Sequence, residues 1–338
     1  MSSLARRLRA FLLLPVPVIA LGGCTSFATD ASRTGPRVLC VVAHPDDETA
    51  FAGTLYKISS WLNGTCDIVV ITNGEAGYKY STLAEPLYGL HLTDPTVGRR
   101  ELPVIRQKEM RAAARVLGVH HVEFLSQLDN HYTKDPAEVL GAEATVWDLD
   151  RVRSVLRRTI DDGRYDFVFV HRPVPDTHGH HKAATILALE AVAATPLERR
   201  PIALCAYHES KPKPVQEGTP ATNTEPPPIV PFALDGWPIT RQREDVGPWS
   251  FDRTQTFGFQ AKLDYRIVTS WAVAEHKSQG TYQGLLGKGE LESFRMFALD
   301  APEAVARTAQ LFARLAEPQF ATPNYDGDGN LVEGEPGR

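Results

Sequence analysis

The chain has 338 residues, of which 43% are hydrophobic and 23% charged, and its formal charge is −5. That balance excludes a chain too polar to bury a core, and an acidic surface argues against a nucleic-acid partner, which would need a basic face. Taking the chain in order, Arg6, Arg7 and Arg9 precede an apolar run over residues 11–21 that is too short to span a bilayer, which predicts a signal peptide over 1–23.

The run ends in Leu21-Gly22-Gly23-Cys24, which resembles a bacterial lipobox. This implies a lipidated Cys24, export to the cell envelope, and membrane attachment through the lipid anchor alone. Loss of residues 1–23 removes three arginines and no acid, taking the formal charge from −5 to −8. Residues 24–37, with Gly35-Pro36, read as a tether to a domain expected over 38–317, and 318–338 as a polar tail. In that tail Asp326-Gly327-Asp328-Gly329-Asn330 starts like a calcium loop, but Leu331 and Gly337 stand where such a loop needs glycine and glutamate; a solvated acidic tail is the better reading.

The domain opens with an apolar, β-branched run over 38–43, the composition of a strand buried on both faces, as in a parallel sheet. Phe51, Leu55, Ile58 and Leu62 then recur at helical spacing before Asn63-Gly64, and 66–72 is a second buried strand, so the unit is βαβ. Residues 78–102 carry Pro86, Gly89, Pro95 and Gly98 without periodicity and predict an irregular insertion over the strand ends. A helix is expected over 104–117, a strand over 122–125, a helix over 147–160, a strand over 166–170, a helix over 183–194 and a strand over 202–207. Residues 211–248 are rich in proline and read as an excursion, followed by helices over 272–279 and 301–316. Cys40, Cys66 and Cys205 lie inside apolar runs and read as buried free thiols. The pattern predicts an α/β fold, Rossmann-like and doubly wound, with a mostly parallel sheet and a proline-rich excursion towards the C-terminal side.

Two polar clusters sit at the ends of buried strands. His44-Pro45-Asp46-Asp47-Glu48 follows the first, and His178-Gly179-His180-His181 follows the fourth, which a doubly wound sheet places beside the first. Acids at a helix start, or histidines in a loop, need no ligand when they occur singly. Together at adjacent strand ends they supply imidazole and carboxylate donors. Catalytic zinc takes three protein ligands and leaves one position open; His44 and Asp47 would give two, and one of His178, His180 and His181 the third. Asp46 is then the carboxylate that takes a proton from an attacking water, and a spare histidine stabilises the charged intermediate. No Gly-x-Gly-x-x-Gly follows the first strand, and acids in that turn would repel a pyrophosphate.

At these residues the chain resembles the PIG-L/LmbE-like family of zinc-dependent N-acetylglucosaminyl deacetylases. The resemblance extends through Thr72-Asn-Gly-Glu-Ala-Gly77, Arg106-Gln-Lys-Glu109, Asp129 and Ala274-Glu-His-Lys-Ser-Gln279. It implies that His44, Asp47 and His181 bind Zn2+ or another divalent metal, that Asp46 is the general base, that His178 assists the intermediate and the leaving amine, and that Arg106 and Asp129 contact the sugar. The expected activity is removal of an N-acetyl or other N-acyl group from an amino sugar or glycoconjugate. A zinc amidase of a non-sugar N-acyl substrate and a catalytically silent glycan-binding lipoprotein are the alternatives. Position 180 departs from the family, which has aspartate before the final ligand where this chain has histidine.

Overall fold

The structure, a computed structural model, describes residues 33–209 and 233–320. The signal peptide, Cys24, most of the tether, residues 210–232 of the excursion and the tail from 321 lie outside the described residues. Within them the strands are β1 (Arg37–Val42), β2 (Thr65–Thr72), β3 (His121–Gln127), β4 (Phe167–His171), β5 (Ile202–Glu209), β6 (Trp249–Asp252), a small antiparallel pair of β7 (Thr256–Phe257) with β8 (Leu263–Asp264), and β9 (Leu291–Met296). The helices are α1 (Ala52–Ser60), α2 (Glu85–Tyr88), α3 (Pro95–Val116), α4 (Ala137–Leu140), α5 (Leu149–Gly163), α6 (Gly179–Ala194), α7 (Arg266–Glu275), α8 (Gly280–Gln283) and α9 (Ala304–Ala316). Among the described residues no helix is long and apolar enough to cross a membrane.

Seven strands make one sheet in the order β3-β2-β1-β4-β5-β9-β6. The first five are parallel, and β9 is antiparallel to both β5 and β6. The alternation within β1 shows the double winding. Val38, Cys40 and Val42 join the core beneath α1, α3, α7 and α9, while Leu39, Val41 and Ala43 join the core beneath α5 and α6. Each such fully buried branched side chain contributes roughly 1.5–3 kcal/mol. The strand order reverses between β1 and β4, and at such a switch point the loops diverge to leave a crevice. Cys40, Cys66 and Cys205 are buried free thiols in β1, β2 and β5.

The expected irregular stretch over 78–102 is partly helical: α3 starts at Pro95, nine residues ahead of the expected boundary. Asp94 caps it, with Oδ1 accepting from the amides of Thr96 at 2.9 Å and Val97 at 3.0 Å. Pro95 in the first turn has no amide to leave unsatisfied, so the proline marks the helix start. Gly98 lies against Leu92 and Tyr78, where a Cβ would come within 2.4 Å of each. Helix α6 likewise starts at Gly179, four residues early, so the histidine cluster sits on its first turn. The antiparallel strands β6 and β9 have no counterpart among the predicted elements. Glu292 and Ser293 at the centre of β9 are fully buried polar residues, which breaks the apolar run that marks the other strands.

Candidate metal centre

Strand β1 ends at Val42, and its continuation places His44 to Glu48 in the crevice at the switch point. Asp46 has φ 116° and ψ −20°, a left-handed conformation that costs a residue with a Cβ on the order of 1–3 kcal/mol. The surroundings impose it. The Asp46 amide donates to Glu48 Oε2 at 3.1 Å, its carbonyl accepts from Thr49 Oγ1 at 2.7 Å, and its Oδ2 accepts from Arg106 Nη2 at 2.7 Å. Arg106, on α3, also donates to the carbonyls of Pro45 and Gly74. It lines the cavity but is only 3% exposed, and its guanidinium is bound to Asp46 and the two loops at the ends of β1 and β2.

Glu48, which has no role from sequence, is fully buried and meets His276 Nε2 through Oε1 at 2.5 Å. Burial pushes the His276 pKa down, but the Glu48 carboxylate outweighs it and leaves the imidazole raised. One turn along α3 from Arg106, Glu109 accepts from Ser278 N at 2.9 Å and Ser278 Oγ at 2.6 Å. The 276–279 segment is therefore bolted to the β1 loop and to α3 by buried polar contacts.

Asp47 divides its carboxylate. Oδ2 accepts from the amides of Ala43 at 3.0 Å and His44 at 2.8 Å, while Oδ1 lies 3.2 Å from His181 Nε2. His44 Nδ1 is 3.1 Å from His181 Nε2 and 3.7 Å from Asp47 Oδ2. Burial raises the Asp47 carboxyl, but His181 and His171 beside it outweigh that and hold it well below the usual range. His44 is raised, since Asp47 and Asp129 overcome its burial. His171, at the end of β4, stacks on His181 with ring centroids 4.9 Å apart and places Nε2 3.1 Å from the Asp47 carbonyl. His171 has no role from sequence; its position at a strand end is the available signal.

His178 caps α6, and its Nδ1 accepts from the amide of His180 at 2.9 Å. A backbone amide can only donate, so the proton of the neutral ring sits on Nε2. Burial and the neighbouring histidines lower the His178 pKa to about 3, keeping it neutral. Asp129, after β3, accepts from Ala76 N at 3.1 Å through Oδ2, and its Oδ1 faces His180 Nδ1 at 3.3 Å and His44 Nε2 at 3.9 Å. Burial raises its carboxyl, and His180 and His44 reverse this to leave it well below the usual range. For Asp46, burial wins over Arg106, and the carboxyl is raised to about 6.

Asp46, Asp47, His44, His178, His181, Arg106 and Asp129 all line one cavity of about 230 Å3, so the structure brings these seven residues to one place, while His180 lies behind its wall. Ala76, Gly77 and Gln279, from segments already quoted for the resemblance, also line the cavity, and Lys79, Tyr80, Tyr132 and Tyr282 were not foreseen. His44, Asp47 and His181 form a candidate metal-binding group. A tetrahedral ion with bonds of about 2.0–2.1 Å has ligand atoms about 3.4 Å apart, and the spacings of 3.1 Å from His44 Nδ1 to His181 Nε2 and 3.2 Å from His181 Nε2 to Asp47 Oδ1 fit that figure.

A histidine–aspartate–histidine donor group with a second carboxylate beside it, at the switch point of a Rossmann-like sheet, is the arrangement of a metal-dependent hydrolase. Residues 39–192 match the model of the PIG-L family, described as GlcNAc-PI de-N-acetylase. The probable N-acetyl-alpha-D-glucosaminyl L-malate deacetylase 2 of Bacillus anthracis is 26% identical over 204 residues, covering 59% of this chain and 77% of that one. Among solved structures, the N,N'-diacetylchitobiose deacetylase of Pyrococcus horikoshii is 28% identical with a TM-score of 0.34, over 47% of this chain and 50% of that one. This chain thus spans half the length of the archaeal enzyme. The zinc-inhibited form of teicoplanin deacetylase Orf2 is 19% identical with a TM-score of 0.42, over 78% and 98%.

Proposed function

We propose that this protein is a zinc-dependent hydrolase that removes an N-acetyl group from an amino sugar or glycoconjugate. The observation that carries the reading is the convergence on one cavity of a three-donor metal group, a carboxylate near neutrality and a histidine with a fixed N–H. The family match and the deacetylase named in Bacillus anthracis support the acetylated amino sugar as the substrate class.

His44, Asp47 and His181 would hold the ion, and their imidazole and carboxylate donors suit zinc better than magnesium or calcium. Zinc bound there would polarise the amide carbonyl and acidify an attacking water. Asp46 takes the proton of that water. A carboxyl raised to about 6 is ionised at pH 7 yet still basic enough to be useful, and the Arg106 ion pair keeps it from rising further. The proton held by Asp46 is the one that the leaving amine needs. His178 donates its Nε2–H to the oxygen that gains charge, and because its other nitrogen is tied to the His180 amide, the tautomer is already correct. Export and lipidation at Cys24 remain part of the proposal, supported by the pattern of residues 1–24; mass spectrometry of the mature N-terminus tests them.

The test is acetate release from a panel of N-acetylated amino sugars and glycans by the mature protein, with and without chelator. Release should stop on chelation and return with Zn2+. Asp46→Asn should keep its metal and lose on the order of 10²–10⁴-fold in kcat, the usual contribution of a positioned base. Chelator-insensitive release, or full activity in Asp46→Asn, would overturn the reading.

A further inference from the structure

We propose that Asp129 and His180, together with the second nitrogen of His44, form another divalent-cation site alongside the first. The inference goes beyond the proposed hydrolase and draws on that reading only for the first ion on His44.

His180, on the first turn of α6, is the central residue of this second group. Its ring is fully buried, 5.2 Å from Trp147 and 4.6 Å from His178 between centroids. His180 Nε2 lies 3.0 Å from Asn130 Oδ1, and that atom is an oxygen because the amide of His131 donates to it at 2.9 Å. The proton of a neutral His180 therefore sits on Nε2, and Nδ1 is a bare lone pair. It faces Asp129 Oδ1 at 3.3 Å, and neither atom has a hydrogen-bond partner. Asp129 is 4% exposed and its other oxygen is satisfied by the Ala76 amide. Two buried acceptors that point at one another repel unless a cation, either a proton or a metal ion, lies between them.

His44 supplies the third donor. Its Nδ1 faces the first group and its Nε2 lies 3.9 Å from Asp129 Oδ1. The two metal-binding groups recognisable among the described residues, His44–Asp47–His181 and His44–Asp129–His178–His180, share this ring. His178 drops out of the second, since the lone pair on its Nδ1 is taken by the His180 amide and its Nε2 carries the proton. Two imidazoles and one carboxylate suit zinc, cobalt or copper and not calcium or magnesium. With both ions in place His44 is an imidazolate, its remaining ring proton having gone to solvent. The imidazolate and the Asp129 carboxylate then offset the charge of the second ion. Asp129 and His44 line the cavity, so an ion held there would adjoin the space open to substrate.

The test uses the full mature chain, stripped by chelator and titrated with Zn2+ by calorimetry, with metal content measured at saturation. The expected result is two equivalents per chain, the second binding with release of one proton more than its ligands alone account for, as read in buffers of different ionisation enthalpy. His180→Gln and Asp129→Asn should each bind one equivalent, which also shows that the variant is folded, and His178→Ala should still bind two. One equivalent in the parent at saturation would mean that a proton fills the gap and would overturn the proposal. Two equivalents in both His180→Gln and Asp129→Asn would overturn it as well. No zinc bound by the parent would sink the first site and the hydrolase reading with it. Should the variants not fold, the parent decides alone: two Cu2+ ions sharing one ring give a coupled EPR spectrum, and two independent signals would refute the shared site.

Discussion

Replacing Arg106 by methionine should move the acid limb of kcat/KM to higher pH. The guanidinium lies 2.7 Å from Asp46 Oδ2, with both side chains nearly excluded from solvent. A neighbouring arginine lowers an aspartate pKa by roughly 1–3 units, which is about 1.4–4 kcal/mol at 1.36 kcal/mol per unit. Without it the Asp46 carboxyl, now raised to about 6, rises by that amount. Asp46 acts as a base only when ionised, so activity is lost as pH falls through its pKa, and a higher pKa moves the loss upward. At pH 7 the variant should be slower by roughly 2- to 100-fold and should recover at alkaline pH. A bound divalent cation lowers the Asp46 pKa in variant and parent alike, so the difference between their limbs is the quantity to read. The assay is a pH–rate profile of acetate release under subsaturating substrate, with Arg106→Lys as the control that keeps the charge and loses the fork. An acid limb at the parental pH, with the rate lowered by one factor throughout, would refute the role assigned to the ion pair.

Three other outcomes follow from contacts of the same kind. Gly74→Ala should reproduce the Arg106 phenotype, because φ is +68° there and a Cβ would sit 1.9 Å from Arg106 Nη1; a parental pH profile in that variant would show that the guanidinium can move without releasing Asp46. Glu292→Gln should lose about 3–5 kcal/mol in urea unfolding, since it removes the negative charge that Arg253 Nε meets at 2.8 Å in a fully buried pair. The double variant Glu292→Leu, Arg253→Met should recover most of that loss; a single-variant loss below about 1 kcal/mol would contradict the pairing.

The half of the fold that is parallel was legible because its strands are apolar on both faces. β1 and β2 read as uninterrupted runs, and the clusters after β1 and β4 named the crevice and its donors. The antiparallel half was not legible, for a physical reason. Strand β9 buries Glu292, which accepts from the amides of Gly53 at 2.7 Å and Thr54 at 2.9 Å and pairs with Arg253 at 2.8 Å. A buried carboxylate that caps a helix 239 residues away along the chain carries no local signature. Helix α3 was cut short because Pro95 and Gly98 read as breakers, although the first lies where a helix tolerates proline. The left-handed backbone of Asp46 was hidden too, since only tertiary contacts stabilise it.

Those contacts divide the site between the two halves of the chain. The donors for the ion, His44, Asp47 and His181, all fall inside the stretch that matches the family, residues 39–192. The conformation of Asp46, the proposed base, depends on residues beyond it. His276 holds Glu48, which holds the Asp46 amide, and Ser278 ties Glu109 on the helix that carries Arg106. Arg253 Nη2 donates to the Thr49 carbonyl at 2.9 Å, and Thr49 in turn donates to the Asp46 carbonyl. Metal affinity and proton transfer are therefore separable. Changes at 253, 276 or 278 act on the position and pKa of Asp46 while leaving the three donors where β1 and α6 put them.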